Sequence, residues 1–259
     1  MKKASCLLVL FLFLNCSSDS NENSISFSIN VTPSSTNVNI DQAFTITITS
    51  NEEIKQMWVS TNNFATGGYA IREFGTSYEL HFNFDTLGQK EIAIRVKNEN
   101  GQVAERSITI NVDRGNAIKI NGIQVISFYG INTAYDPEFG LNDPNRLADL
   151  KFGFAKNKLV DRFLGTYNWS SWYNSTVIEN QGNMTWQLND ANLFIHPNNT
   201  LRFTLAEMDG QIAGADLLNG PPEFREISFS SFISTKPSVI SYTFPEIDLD
   251  IKVLVEWVN

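Results

Sequence analysis

Cysteine and histidine are nearly missing, with two of each in 259 residues. Cys6 and Cys16 both lie at the extreme N-terminus. No disulfide framework can therefore staple the rest of the chain, and its stability must come from packing. One histidine, His81, sits inside the alternating stretch ELHFNF, and the other, His196, directly precedes Pro197. No G-x-S-x-G, H-E-x-x-H or P-loop pattern occurs, so the usual hydrolase and nucleotide chemistries have no recognisable machinery. A carboxylate pair of the glycosidase type remains open on composition, but the chain reads as a protein without catalytic activity.

Positive charge is also short, with 19 Lys and Arg against 28 Asp and Glu. Without Lys2 and Lys3 the balance is 17 − 28 = −11. Such a surface repels nucleic acid and anionic headgroups, so neither is expected as a partner. Long apolar runs are missing too. The longest, Leu7 to Leu14, falls far below the roughly 20 residues that span a bilayer. Stretches rich in Ala, Leu, Glu and Lys are likewise absent, whereas Phe, Asn and Thr are plentiful, which favours strands and turns over helices.

What is present begins with the N-terminus. Met1-Lys2-Lys3, the apolar run and the junction FLFLNC followed by SSDSNENS have the layout of a signal peptide. The junction resembles a bacterial lipoprotein signal, of the relaxed kind found in Bacteroidetes, with Asn15 where a small residue is usual. The resemblance implies a signal peptide over 1–15, acylation of Cys16 and a polar tether over 16–24. It implies attachment to the outer membrane through an N-terminal lipid.

Residues 25–113 follow as short alternating segments: ISFSINV, AFTITIT, KQMWVS, YELHFNF, EIAIRVKN and RSITINV. Period-two alternation broken by turn residues predicts a β-sandwich. Asn-Glu-Asn-Gly at 98–101 predicts a hairpin with Gly101 at positive φ. Asp85-Thr86-Leu87 reads as a turn, and Trp58 as a core residue of a central strand. The stretch from Phe82 to Val112 resembles bacterial Ig-like and PKD-type surface modules, with the Asp-Thr-x-Gly corner and the N-x-x-G hairpin in order.

A second β-rich pattern runs over 117–259: IKINGIQVISFY, DLKFGFAK, STVIEN, MTWQLN, LRFTLAEM, FREISFSSF, SVISYTF and DIKVLVEWV. These segments predict a second, eight-stranded sandwich, so the fold class is all-β with two tandem sandwiches. The first strand IKINGIQVISFYG and three features after it resemble the C2 domain in order. LNDPNRLADLKFGF carries Asp143 and Asp149 before a strand, STVIENQGNMTWQL places Trp186 in the tryptophan position, and LRFTLAEMD leads to ADLLNGPPEFREISF. The resemblance implies calcium held by Asp143, Asp149, Glu207, Asp209 and Asp216, with Asp136 an alternative from the first loop. Calcium needs six to eight oxygens at about 2.3–2.6 Å. Glu207 and Asp209 share strand parity and can face one side. The same residues also read as ordinary solvated loop carboxylates.

TYNWSSWYNST concentrates Tyr167, Trp169, Trp172 and Tyr173 among Asn and Ser. Aromatic rings beside amides suit a glycan-binding face, and they equally suit a segment packed on its own sandwich. The functional expectation is a lipid-anchored envelope binding or adhesion protein, with a protein or glycan ligand and possible use of calcium. The alternatives are a carbohydrate-binding lipoprotein of a glycan-uptake system and a structural subunit of an envelope complex.

Overall fold

The structure is a computed structural model that describes residues 26–65 and 69–258. The expected signal peptide, Cys16 and the expected tether lie outside the described residues. The described chain is all-β: strands joined by turns and short 3-10 segments, with no α-helix among them. No helix of the described residues is long and apolar enough to cross a membrane.

The first six strands are β1 (Ile29–Pro33), β2 (Asn37–Asn39), β3 (Phe44–Ser60), β4 (Tyr69–Phe82), β5 (Gly88–Asn98) and β6 (Val103–Asp113). AFTITIT and KQMWVS, expected as two strands, form the single long β3. Its first half pairs with β1 and the end of β4, and its second half with the start of β4 and with β5. The two halves serve two layers because the ladder shifts register between Thr49 and Ile54 and again before Gln56. Each shift also changes which side chains face inward. Phe44, Ile46 and Ile48 are buried before the shifts, and Ile54 and Met57 after them. Trp58, expected in the core, is therefore only half-buried, and its neighbour Met57 takes the inward place. The β5–β6 hairpin forms as expected, with Gly101 at φ 81° and the Asn98 amide bonded to Glu52 and Gln102.

Ten strands follow where eight were expected: β7 (Ile118–Ser127), β8 (Leu150–Asp161), β9 (Thr166–Asn174), β10 (Thr185–Gln187), β11 (Leu193–Ile195), β12 (Thr200–Asp209), β13 (Ile212–Asp216), β14 (Arg225–Ser228), β15 (Val239–Phe244) and β16 (Leu249–Glu256). One sheet has the order β10-β7-β16-β15, with β11 also on β7. The other has the order β13-β12-β8-β9, with β14 on β12. STVIEN is not a strand; it touches the sheet through the single bridge of Ile178 to Leu150 and then turns at 179–181. Conversely, TYNWSSWYN is an edge strand, β9. Between the sheets Phe152 stacks on Phe203 at 5.9 Å and meets Trp186 edge-on at 5.0 Å. The Trp186 indole N–H donates to the Thr176 carbonyl at 2.8 Å, so this tryptophan is a core residue with its one polar atom satisfied.

The two sandwiches pack on one another. The turn after β8 sends Phe163 against Phe74 and Tyr78, with ring centroids 5.9 and 6.3 Å apart. The Tyr78 hydroxyl donates to the Phe163 carbonyl at 2.7 Å, and the His81 amide to the Arg162 carbonyl at 2.8 Å. Phe194 of β11 is buried in the core of the first sandwich. Arg114, in the connection, reaches the Glu256 carboxylate at 2.5 Å and its carbonyl at 2.7 Å.

Candidate binding groove and carboxylate cluster

A polar groove of roughly 290 Å³ opens where the sandwiches meet, lined by Asp41 and Asn83 from the first and by residues of β8, β9 and β12 from the second. Asp41 forms its floor. It ends a turn with φ 62°, a left-handed conformation that Asp tolerates better than most residues. Its carboxylate contacts the Lys156 ammonium at 2.5 Å, with both side chains only 2% exposed. The other oxygen accepts the His196 amide at 3.0 Å and the Asn199 side-chain amide at 3.1 Å. Burial pushes the Lys156 ammonium below the ordinary lysine range, and the attraction of Asp41 opposes that shift. The ammonium also lies 4.6 Å from the Trp172 ring centroid. Among the described residues, Asp41 Oδ1 and Lys156 Nζ have no hydrogen-bond partner beyond this contact. The contact is thus an ion pair enclosed in protein, where loss of one member is far costlier than at a surface.

The four aromatics of β9 divide into two pairs. Tyr167 and Trp169 line the groove, together with the amides of Asn83, Asn157, Asn198 and Asn199. Tyr167 is 39% exposed, and its hydroxyl is held above the usual phenol range by burial first and by Asp41 second. Trp169 is braced by the Arg202 guanidinium 4.0 Å from its ring centroid, and Arg202 in turn lies 3.9 Å from that of Phe224. Trp172 and Tyr173, expected in the same ligand face, instead pack on the core against Phe154 and Phe152. Trp172, three residues past Trp169, falls on the opposite face by alternation, and a register shift of β9 on β8 between Phe154 and Ala155 turns Tyr173 toward the core as well. The groove continues past Asn157 to Asp85, Lys158 and Arg162. There Lys158 pairs with Asp85 at 3.1 Å, again across the two sandwiches.

A second site lies at the far end of β12. Leu201, Phe203 and Leu205 point into the core, and Glu207, two residues further on, keeps that parity and is buried. Asp209 continues the same side into solvent. Asp136, from the loop after β7, joins them, and one carboxylate oxygen from each of the three lies within 4.8 Å of the others. Burial, then Asp209, then Asp136 and Asp149 raise the Glu207 carboxyl above its ordinary range, and an amide bond from Ala215 pulls the other way. Burial, then Glu138, Asp149 and Asp209 raise Asp136. Gly214 makes the crowding possible, since a Cβ there would stand 2.0 Å from Glu207 Oε2 and 3.0 Å from Asp209 Oδ2.

Of the expected carboxylates, the structure brings some together and not others. Glu207 and Asp209 converge, Asp136 replaces the predicted first-loop ligands, and Asp149 stands near enough to be felt. Asp143 instead caps the turn at 144–146 by accepting the Asn145 amide at 3.0 Å. Asp216 closes its own turn on the Leu218 and Gly220 amides at 3.0 and 2.8 Å. Asp149 also binds the Asn180 amide at 2.7 Å. Sequence pattern missed the roles of Asp41 and Lys156, because one turn Asp and one strand Lys carry no local sign of a contact made across the chain.

No family model matches this chain, and no curated protein matches it in sequence. Solved structures match it at low identity and low TM-score. A PKD domain of an M14-like peptidase from Thermoplasmatales archaeon SCGC AB-540-F20 is 14% identical, covers 34% of this chain and 96% of its own, and has a TM-score of 0.29. The fibronectin(III)-like modules of Clostridium thermocellum CbhA are 8% identical, with 72% and 90% covered and a TM-score of 0.27. A structure of carbohydrate-binding modules from the β-sandwich superfamily is 8% identical, with 90% and 98% covered and a TM-score of 0.27.

Proposed function

We propose that this chain is a non-catalytic, lipid-anchored binding protein of the cell envelope that takes a carbohydrate in the groove between its sandwiches. The observation that carries this reading is the pairing of Tyr167 and Trp169 with the side-chain amides of Asn83, Asn157, Asn198 and Asn199 around one cavity. Sugar rings offer C–H faces to aromatics and hydroxyls to amides, and this lining supplies both. The groove's carboxylates do not favour catalysis: Asp41 is bonded to three groups and Asp85 is paired with Lys158. A glycosidase needs one carboxyl free as acid and a second as base or nucleophile. An oligosaccharide array tests the reading. The chain should be retained and Trp169→Ala should not, whereas Trp172→Ala, in the core-packed pair, should alter stability more than retention. Equal retention of wild type and Trp169→Ala overturns it.

The Asp136, Glu207 and Asp209 cluster favours a second element of the same reading, a calcium ion ordering the loops at that end of the sandwich. Carboxylate oxygens are the ligands a hard divalent cation takes, and the burial and mutual repulsion that raise Glu207 and Asp136 are what a cation would offset. The melting temperature should rise with millimolar calcium over chelator, because a ligand of the native state adds RT ln(1 + [L]/Kd). No shift sinks the calcium element and leaves the groove reading intact. The anchor rests on the FLFLNC junction, and Cys16→Ser should release the protein from the membrane fraction.

A further inference from the structure

The charged groups along the groove are matched except for one. Asp41 is paired with Lys156 and Asp85 with Lys158. Arg162, at the far end of the continuation, makes no side-chain hydrogen bond and no ion pair among the described residues, although it lines the cavity. Its guanidinium lies 5.2 Å from the Phe82 ring centroid, an apolar backing that supplies no anion. Burial lowers its pKa, the direction expected for a cation stripped of water without a countercharge.

Arg162 is also held in place. Its carbonyl accepts the His81 amide at 2.8 Å. Asp161 caps the following turn through the Phe163 and Leu164 amides at 2.7 and 3.1 Å. Phe163 is wedged against Phe74 and Tyr78. The backbone is pinned, the Phe82 ring backs the guanidinium, and the guanidinium's fork of donors matches the two oxygens of a carboxylate.

We propose that the groove is specific for acidic oligosaccharides: Tyr167 and Trp169 contact the face of one sugar while Arg162 receives the carboxylate of a uronic acid residue. The assignment rests on the groove reading above. The overall charge of −9 repels densely charged polyanions, so a chain of isolated carboxylates fits better than a heavily sulfated polymer. A sulfate offers the same oxygens, and the test separates the two.

The experiment titrates the full-length, detergent-solubilised protein with a panel of uronic-acid oligosaccharides, each beside its carboxyl-reduced neutral counterpart, and with sulfated analogues. Wild type should prefer the acid form by roughly tenfold or more, the scale of a charge-assisted hydrogen bond. Arg162→Gln should bring the acid form down to the level at which the same variant binds the neutral form. Arg162→Lys, which keeps the charge but loses the fork, should retain part of the preference. Trp169→Ala should weaken both forms. Equal binding of the acid and neutral forms by wild type, or a preference that survives in Arg162→Gln, overturns the inference and leaves the groove reading standing. A preference for sulfated over uronic ligands overturns the carboxylate assignment. Retention of no pair overturns the groove reading together with the inference.

Discussion

Lys156 and Glu207 are both charged side chains drawn into the interior of the second sandwich, yet their surroundings are opposite. Lys156 meets the carboxylate of Asp41, brought from the other sandwich, so its electrostatics are complete within the chain. Glu207 meets Asp209, Asp136 and Asp149, all of its own sign, and burial adds to the cost. Burial of a charge therefore has no fixed meaning. The sign of the neighbours decides whether it fastens two modules or leaves a site that favours a proton or a cation.

The largest effect should come from breaking the matched site. Asp41→Ala leaves the Lys156 ammonium buried without its partner, and it should lower unfolding stability by about 3–5 kcal/mol. Chemical denaturation measures this. Asp41→Asn combined with Lys156→Met should recover most of the loss, since the double change removes both charges. No recovery would mean that the amide bonds of His196 and Asn199, and not the ion pair, carry the clasp.

A smaller effect should follow from Gly214→Ala. Its Cβ would collide with Glu207 Oε2, and the forced shift should cost about 1–3 kcal/mol. Any calcium stabilisation should fall with it. Unchanged melting curves with and without calcium would show that the cluster tolerates the methyl group.

The smallest effect should come from relieving the unmatched site. Glu207→Gln should stabilise the calcium-free chain by about 1 kcal/mol, the scale of two like charges about 4 Å apart in water, and should abolish any response to calcium. The same repulsion predicts a pH dependence. A carboxyl whose folded pKa is raised keeps its proton in the native state over a range where the unfolded chain has lost it. Stability from this group is therefore present at lower pH and falls as pH rises from the ordinary glutamate value through the raised one. Melting of wild type minus Glu207→Gln against pH isolates this slope from the other carboxylates, and added calcium should flatten it. A flat difference without calcium would remove the repulsion argument.

Much of this arrangement was legible beforehand. The alternation in LRFTLAEMD placed β12, and the parity of Leu201, Phe203 and Leu205 already aimed Glu207 inward and Asp209 to the same side. The hairpin at Gly101 followed from its turn residues. Other features were hidden. TYNWSSWYN did not read as a strand because the alternation of Tyr167 and Trp169 with Asn168 and Ser170 breaks at Ser171-Trp172-Tyr173. Alternation alone sets Trp172 away from Tyr167 and Trp169, but the inward turn of Tyr173 depended on a register shift against β8, which local pattern does not encode. Asp143 and Asp216 had suitable spacing for calcium, but each had a nearer backbone amide to satisfy, and short-range hydrogen bonds won.

By itself the sequence determined the all-β class, most of the strands and the excess of acid over base, because alternation, turn chemistry and charge are local or additive properties. The tertiary structure decided which charges meet. Asp41 finds His196 155 residues away, Asp136 reaches Glu207 from another loop, and Arg162 is left without an anion among the described residues. Those outcomes depend on distances of a few ångströms between segments remote in the chain, and Coulomb energy and desolvation change steeply over that range.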